Sequence, residues 1–164
     1  MRKIGLLSDT HGHFDEKVKT FFKDVDELWH AGDIGNIETA DKIAAFKPFK
    51  AVYGNIDDHR VRAVYPEFQD FYCEDIRVLM THIGGYPERY YPSVRKKLQK
   101  ENYQLFISGH SHILKVMQDK KHHLLHINPG ASGNNGLHQV KTATRFFIKG
   151  DRISDLEILE LPRR

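Results

Sequence analysis

Short apolar runs alternate along the chain with polar loops that contain glycine. Lys3 to Leu7 reads as a buried strand, ending abruptly at Ser8-Asp9-Thr10-His11-Gly12. Phe14, Val18, Phe21, Phe22 and Val25 follow at spacings that put them on one face of a helix. Glu27 to Ala31 predicts a second strand, ending at Gly32-Asp33-Ile34-Gly35-Asn36. Ile37, Ala40, Ile43 and Ala44 make a second helical stripe, stopped by Pro48. Phe49 to Tyr53 predicts a third strand, ending at Gly54-Asn55-Ile56-Asp57-Asp58. Strand, polar loop and helix in repetition imply a parallel sheet with right-handed crossovers. Ligands of such sheets sit beyond the carboxyl ends of the strands, where every one of these loops lies.

The second half is patterned differently. Phe68 to Cys73 and Arg77 to Met80 read as strands around Glu74-Asp75, the second ending at Thr81-His82. Pro92 introduces a charged helix from Ser93 to Asn102. Gln104 to Ile107 is a strand ending at Ser108-Gly109-His110-Ser111-His112. Leu114 to Met117 and Leu124 to Ile127 bracket Asp119-Lys120-Lys121 as a hairpin, and Asn128-Pro129-Gly130 reads as a turn. Ala143 to Ile148 and Ile153 to Leu161 form a last hairpin about Gly150-Asp151. The expected architecture is α/β: two mixed sheets packed together with helices outside, in one domain spanning residues 1–164.

Composition narrows the class of function. Hydrophobic residues at 40% and charged residues at 29% exclude disorder, and no run approaches the ~18 apolar residues of a membrane span. A net charge of +3, without a long charged block, carries no strong nucleic-acid signal. Cys73 is the only cysteine, which excludes an internal disulfide and points to a reducing, cytoplasmic setting. The stretch Met1 to Leu7 is too short for a signal peptide. Histidine, by contrast, occurs 11 times.

Position gives some of these histidines a meaning. Asp9, His11, Asp33, Asn55, His82, His110 and His112 lie on five loops that each follow a predicted strand. His110 and His112, two residues apart, would turn their rings to one side of an extended segment. Gly32 and Gly54 precede Asp33 and Asn55, where the chain is expected to turn tightly. Carboxylate, imidazole and amide without thiolate suit Mn²⁺, Fe, Zn²⁺, Co²⁺ or Ni²⁺. Seven ligands exceed one tetrahedral shell, but with one bridging carboxylate they serve two ions ~3.5–4 Å apart.

Asp9-Thr10-His11-Gly12, Gly32-Asp33, Gly54-Asn55-Ile56-Asp57, Thr81-His82 and Gly109-His110-Ser111-His112, closed by Asn128-Pro129-Gly130, form an ordered set. From residue 4 to about residue 150 the chain resembles the calcineurin-like metallophosphoesterases. Its short length and its Asn-Pro-Gly segment look like the small bacterial and archaeal phosphodiesterase subfamily, related in fold to the retromer scaffold subunit. The resemblance implies a dinuclear metal-dependent phosphodiesterase with a small phosphodiester as substrate, and two sheets sandwiched between helices. It implies that Asp9, His11 and His112 hold one divalent ion, manganese being the first expectation, and that Asn55, His82 and His110 hold a second. Asp33 would bridge them together with a hydroxide that attacks phosphorus, so that Asp33, Asn55 and His82 carry the catalytic role. A non-catalytic protein-interaction scaffold on the same fold and a nuclease are the alternatives, and a homodimer or higher homo-oligomer is possible on base rates alone.

Three departures from the family pattern matter. Many members carry Asn-His-Glu where this chain has Asn55-Ile56-Asp57, and Ile56 cannot protonate a leaving group. A missing general acid costs about 10²–10⁴-fold, which predicts weak activity on poor leaving groups. His59, on the same loop, is the candidate substitute. The subfamily's His-Gly-His is replaced by His82-Ile83-Gly84-Gly85-Tyr86, and its Asn-Pro-Gly-Ser by Asn128-Pro129-Gly130-Ala131.

The other polar residues carry blander expectations. Asp57 either orients the site or simply makes a turn, and His30 either orients Asp33 or packs in the core. His13 is expected in solvent, and His122, His123 and His126 in surface or packing roles, while His138 has no assignment. Tyr86, Tyr90 and Tyr91 stack on an aryl group, join an oligomer contact or enter the core. Arg95, Lys96, Lys97 and Lys100 read as a solvated helix face.

Overall fold

The computed structural model describes residues 1–163. In chain order the elements are β1 (Arg2–Leu7), α1 (Glu16–Phe21), β2 (Glu27–His30), α2 (Ile37–Phe46), β3 (Phe49–Ala51), α3 (His59–Val64) and β4 (Phe68–Cys73). They continue with β5 (Ile76–Thr81), α4 (Pro92–Lys100), β6 (Leu105–Ile107), β7 (Leu114–Asp119), β8 (Leu124–Pro129), β9 (Val140–Lys149) and β10 (Arg152–Pro162).

Two five-stranded sheets result, ordered β10-β9-β1-β2-β3 and β4-β5-β6-β8-β7. Both are mixed. In the first, β1, β2 and β3 are parallel and β9 runs antiparallel against β1. In the second, β5, β6 and β8 are parallel while β4 and β7 are antiparallel edges. The parallel first half was legible in the strand–loop–helix repeat. That the last hairpin returns to complete the first sheet is a long-range pairing with no local signature.

The sheets pack face to face through Ile4, Leu6, Trp29 and Phe146 from one and Val78, Met80, Leu105 and Ile127 from the other, all fully buried. Outside the first sheet, Val18 of α1, Phe22 just beyond it and Ile43 of α2 cover Leu7 and Leu28. Outside the second, Val94 and Leu98 of α4 cover Leu79 and Phe106. This is the expected layering of helix, sheet, sheet and helix.

Local chemistry sets the helix starts. The side chains of Asp15, Asn36 and Asp58 accept backbone N–H bonds at the first turns of α1, α2 and α3, and Pro92 opens α4. The apolar stripe Phe14–Val25 outruns its helix: α1 ends at Phe21, and turns carry Phe22 and Val25 into the core. Helix α3 has no counterpart in the sequence pattern, because Val61 is its single buried residue. Asn128-Pro129-Gly130 corrects the turn expected there. Asn128 and Pro129 still pair with Lys115 and Leu114 in β7, and only Gly130 turns away at φ +73°.

His126 is a packing residue. It is buried, stacked on Phe106, and its Nδ1 donates to the Phe106 carbonyl at 3.1 Å. Burial pushes its pKa down to about 4. The unfolded chain takes up that proton near pH 6.5, so the stabilisation from neutral His126 is complete above 6.5 and is lost as pH falls toward 4. Unfolding free energies from denaturant titration should therefore fall more steeply between pH 7.5 and pH 4.5 in the wild type than in His126→Phe, by roughly 2–3 kcal/mol. Equal slopes would contradict this account.

Candidate functional site

The carboxyl ends of both sheets open on the same edge. Asp9 and His11 follow β1, Asp33 follows β2, and Asn55 follows β3. His82 follows β5, and His110 and His112 follow β6. Backbone bonds fasten these loops together: Asp9 N–H to Gly32 O (2.9 Å), His11 N–H to Asp33 O (3.0 Å), and Gly109 N–H to His82 O (2.9 Å).

Five of the seven candidate residues adopt left-handed backbone: Asp9 (φ 55°), His11 (48°), Asp33 (56°), His110 (72°) and His112 (64°). Such conformations cost about 1–3 kcal/mol each and persist only where the surroundings over-determine them. No sequence rule singles out these positions beyond the tolerance of Asp and His for this region. The flanking glycines act differently from one another. Gly32 does turn, at φ +102°. Gly54 does not. It is required because a Cβ there would fall on Asp33 Oδ1 and N.

Each buried carboxylate divides its oxygens between structure and site. Asp9 Oδ2 accepts from Ser8 Oγ (2.6 Å) and His110 N–H (3.2 Å), while Oδ1 has no hydrogen-bond partner. Asp33 Oδ1 accepts from Ile56 N–H (3.0 Å), while Oδ2 lies 3.2 Å from His82 Nε2 and 3.5 Å from His11 Nε2. The free Asp9 oxygen is 3.1 Å from His112 Nε2 and 3.8 Å from His82 Nε2 and His11 Nε2, the last an attraction rather than a hydrogen bond. His11 Nε2 and His82 Nε2 are themselves buried and unpartnered. His82 Nδ1 donates to Ala31 O (2.8 Å), which places its lone pair on Nε2. The ligand atoms form two groups, Asp9–His11–His112 and Asp33–His82–His110, each within 4.8 Å. Asn55 joins the second, its Oδ1 3.0 Å from His110 Nδ1.

Buried, unpaired polar atoms converging on one point are costly unless something occupies that point. Carboxylate and imidazole lone pairs facing each other fit a divalent cation, so the residues present suit the ions expected from their chemistry. Burial would raise Asp9 and Asp33, but neighbouring histidines outweigh it and hold both below the usual carboxylate range. The Asp9 carboxylate raises His11, and Asp33 raises His82 against the opposing effect of burial.

Asp57 ties the site together. Only 3% exposed, it accepts N–H bonds from Ile34 (3.1 Å), Gly35 (2.8 Å) and Gly54 (2.8 Å), joining the loops of Asp33 and Asn55. It is thus more than a turn residue. His30 is fully buried one layer below. Its Nδ1 accepts from Gly32 N–H and its Nε2 donates to Thr10 Oγ1, which donates to Ile34 O. Burial drives its pKa down to about 3, so it is a neutral brace between two loops with no contact to the Asp33 carboxylate.

The remaining candidates fall outside the cluster. His59 is exposed at the start of α3 and does not line the clefts beside Asn55 or His82. His13 is half exposed near Asp15, and His122 pairs with Asp119 on the β7–β8 hairpin. Tyr90 is buried and donates to Asp119, whereas Tyr86 and Tyr91 are exposed and line a cleft of about 230 Å³ with His110 and Lys115. A second cleft of about 240 Å³ reaches Asn55 and His82 from the other side, beside Arg62. A larger hollow of about 560 Å³, around Tyr90 and His122, is lined by none of the seven candidate metal ligands. Among the described residues no helix is long and apolar enough to cross a membrane.

Residues 2–151 match the calcineurin-like phosphoesterase superfamily domain. A protein of Methanothermobacter thermautotrophicus described as a "probable metallophosphoesterase" is 29% identical over 135 residues, covering 78% of this chain and 76% of the relative. The solved structure of an archaeal phosphodiesterase superposes with a TM-score of 0.78 at 23% identity, over 97% of this chain and 99% of that one. Vps29 of Chaetomium thermophilum superposes with a TM-score of 0.74 at 14% identity, over the whole of both chains. These superpositions establish a shared fold, and the domain match adds descent: the chain belongs to the calcineurin-like phosphoesterase superfamily.

Proposed function

We propose that the chain is a metal-dependent phosphodiesterase working through two divalent ions at the shared sheet edge. The observation that carries this reading is the convergence of three buried, unpartnered atoms, Asp9 Oδ1, His11 Nε2 and His82 Nε2. Asp9, His11 and His112 would hold one ion and Asn55, His82 and His110 the other, with Asp33 Oδ2 reaching toward both groups. Ions held there supply acidified water and positive charge for the phosphoryl oxygens.

The chain itself contributes rigidity and shape. The loop bonds and Asp57 hold the ligands at fixed separations, so little reorganisation is needed during reaction. His110 borders the cleft of Tyr86 and Tyr91, which gives a diester's substituent a place to lie. No proton donor is offered by the Asn55–Asp57 turn. The Ile56 side chain is 45% exposed and aliphatic, and its N–H is spent on Asp33. Substrates with good leaving groups are accordingly favoured.

The test is hydrolysis of bis(4-nitrophenyl) phosphate by the chelator-stripped chain with Mn²⁺, Ni²⁺, Fe²⁺, Co²⁺ or Zn²⁺ restored. Turnover that disappears with chelator and returns with metal is expected. An alkyl diester of the same charge should react more slowly by about 10²-fold or more. Absence of turnover with every metal from mildly acidic to basic pH would overturn the proposal.

A further inference from the structure

His138, on the loop between β8 and β9, lies outside the motifs that mark the site, yet its ring meets the ring of His112 edge-on with centroids 5.0 Å apart. Its Nε2 is 2.8 Å from the Gly133 carbonyl, and its Nδ1 is 3.2 Å from His112 Nδ1. A carbonyl has no hydrogen to give, so His138 Nε2 must be the donor. A neutral imidazole carries one N–H, which leaves His138 Nδ1 as an acceptor. The proton in the contact between the rings then belongs to His112 Nδ1. That leaves Nε2, the atom 3.1 Å from Asp9 Oδ1, as the nitrogen turned toward the site, able to offer its lone pair to an ion held between the two.

We propose that His138 is a positioning residue that fixes the tautomer and ring orientation of His112 toward the Asp9 group. The inference rests on the two-ion reading of the site only in what His112 is positioned for. Two further features support it. Gly136, at φ +126°, lies so close that a Cβ would overlap His112 Nδ1, so the loop is shaped around this ring. The loop is also fastened at both ends, by Gly133 N–H to Asp9 O (3.1 Å) and by Arg163 donating to the carbonyls of Asn134 (2.8 Å) and His138 (3.3 Å). His82 is set in the same way, by a backbone carbonyl on its Nδ1. His112 has no such carbonyl, and a second histidine takes its place.

Two substitutions separate positioning from loop anchorage. In His138→Asn the amide oxygen falls where Nδ1 stood and still accepts from His112. In His138→Gln the polar group falls where Nε2 stood, keeping the Gly133 bond and losing His112. Calorimetric titration of the chelator-stripped chain with Mn²⁺ should show affinity falling by about 10–100-fold in His138→Gln and by far less in His138→Asn. Long-range ¹H–¹⁵N spectra of the metal-free chain should show a proton on His112 Nδ1 in the wild type and in His138→Asn, and its partial loss in His138→Gln. Equal loss in both variants, or an Nε2–H tautomer in the wild type, would overturn the proposal. If the wild type bound no Mn²⁺, the two-ion reading would fail, and the spectra would still decide the role of His138.

Discussion

Asp33→Ala is expected to lower phosphodiester turnover by roughly 10³-fold, at the upper end of what one preorganised charge-stabilising group contributes. Its Oδ2 is within 3.5 Å of both His11 Nε2 and His82 Nε2, close enough to serve both proposed ligand groups. Without it, two buried imidazoles face one another across an uncompensated gap. The cation that would relieve them then meets one less negative charge. Asp33→Asn is the sharper experiment, because it keeps the shape and an oxygen for Ile56 N–H while removing the charge. Both variants should keep the wild-type circular dichroism spectrum, and both should bind fewer metal ions per chain by elemental analysis. Turnover within tenfold of wild type in Asp33→Asn would show that the charge at this position is dispensable.

Asp57→Ala should cost about 3–5 kcal/mol of stability, the sum expected when a buried carboxylate is taken from several N–H donors at once. Ile34, Gly35 and Gly54 would each lose their acceptor. In a domain of this size that is roughly a 10 °C fall in melting temperature, measurable by calorimetry. Activity should fall further than stability accounts for, because Asp57 fastens the loop of Asp33 to the loop of Asn55. Asp57→Asn, which can accept but not with a full charge, should lie between. A loss under about 1 kcal/mol in Asp57→Ala would return this residue to the role of an ordinary turn-former.

Much of this architecture could be read from the chain because each apolar run stops where a strand stops. Asp9, Asp33, Asn55, His82 and His110 stand within four residues of strand ends, and a parallel arrangement brings such ends to one edge. What could not be read is what depends on tertiary contact. Helix α3 buries only Val61 and so leaves no periodic signal. Gly54 looked like a turn residue, but its lack of a side chain serves Asp33, a residue on a neighbouring loop. The hairpin of β7 and β8 was legible, but its pairing runs on through Asn128 and Pro129, where the local sequence reads as a turn. His138 meets His112 across 26 residues and a loop with no repeating pattern, so its histidine was indistinguishable from those at His13 or His123.

The left-handed residues at the sheet edge have a consequence for how this protein would respond to selection. At His110, which is exposed and at φ 72°, glycine would relieve the backbone while giving up little packing. A library sorted for thermal tolerance alone would therefore drift toward glycine there and dismantle the ligand set while the fold improved. Stability and chemistry compete at these positions, residue by residue, and a thermostable variant obtained without an activity screen should be examined first at this edge.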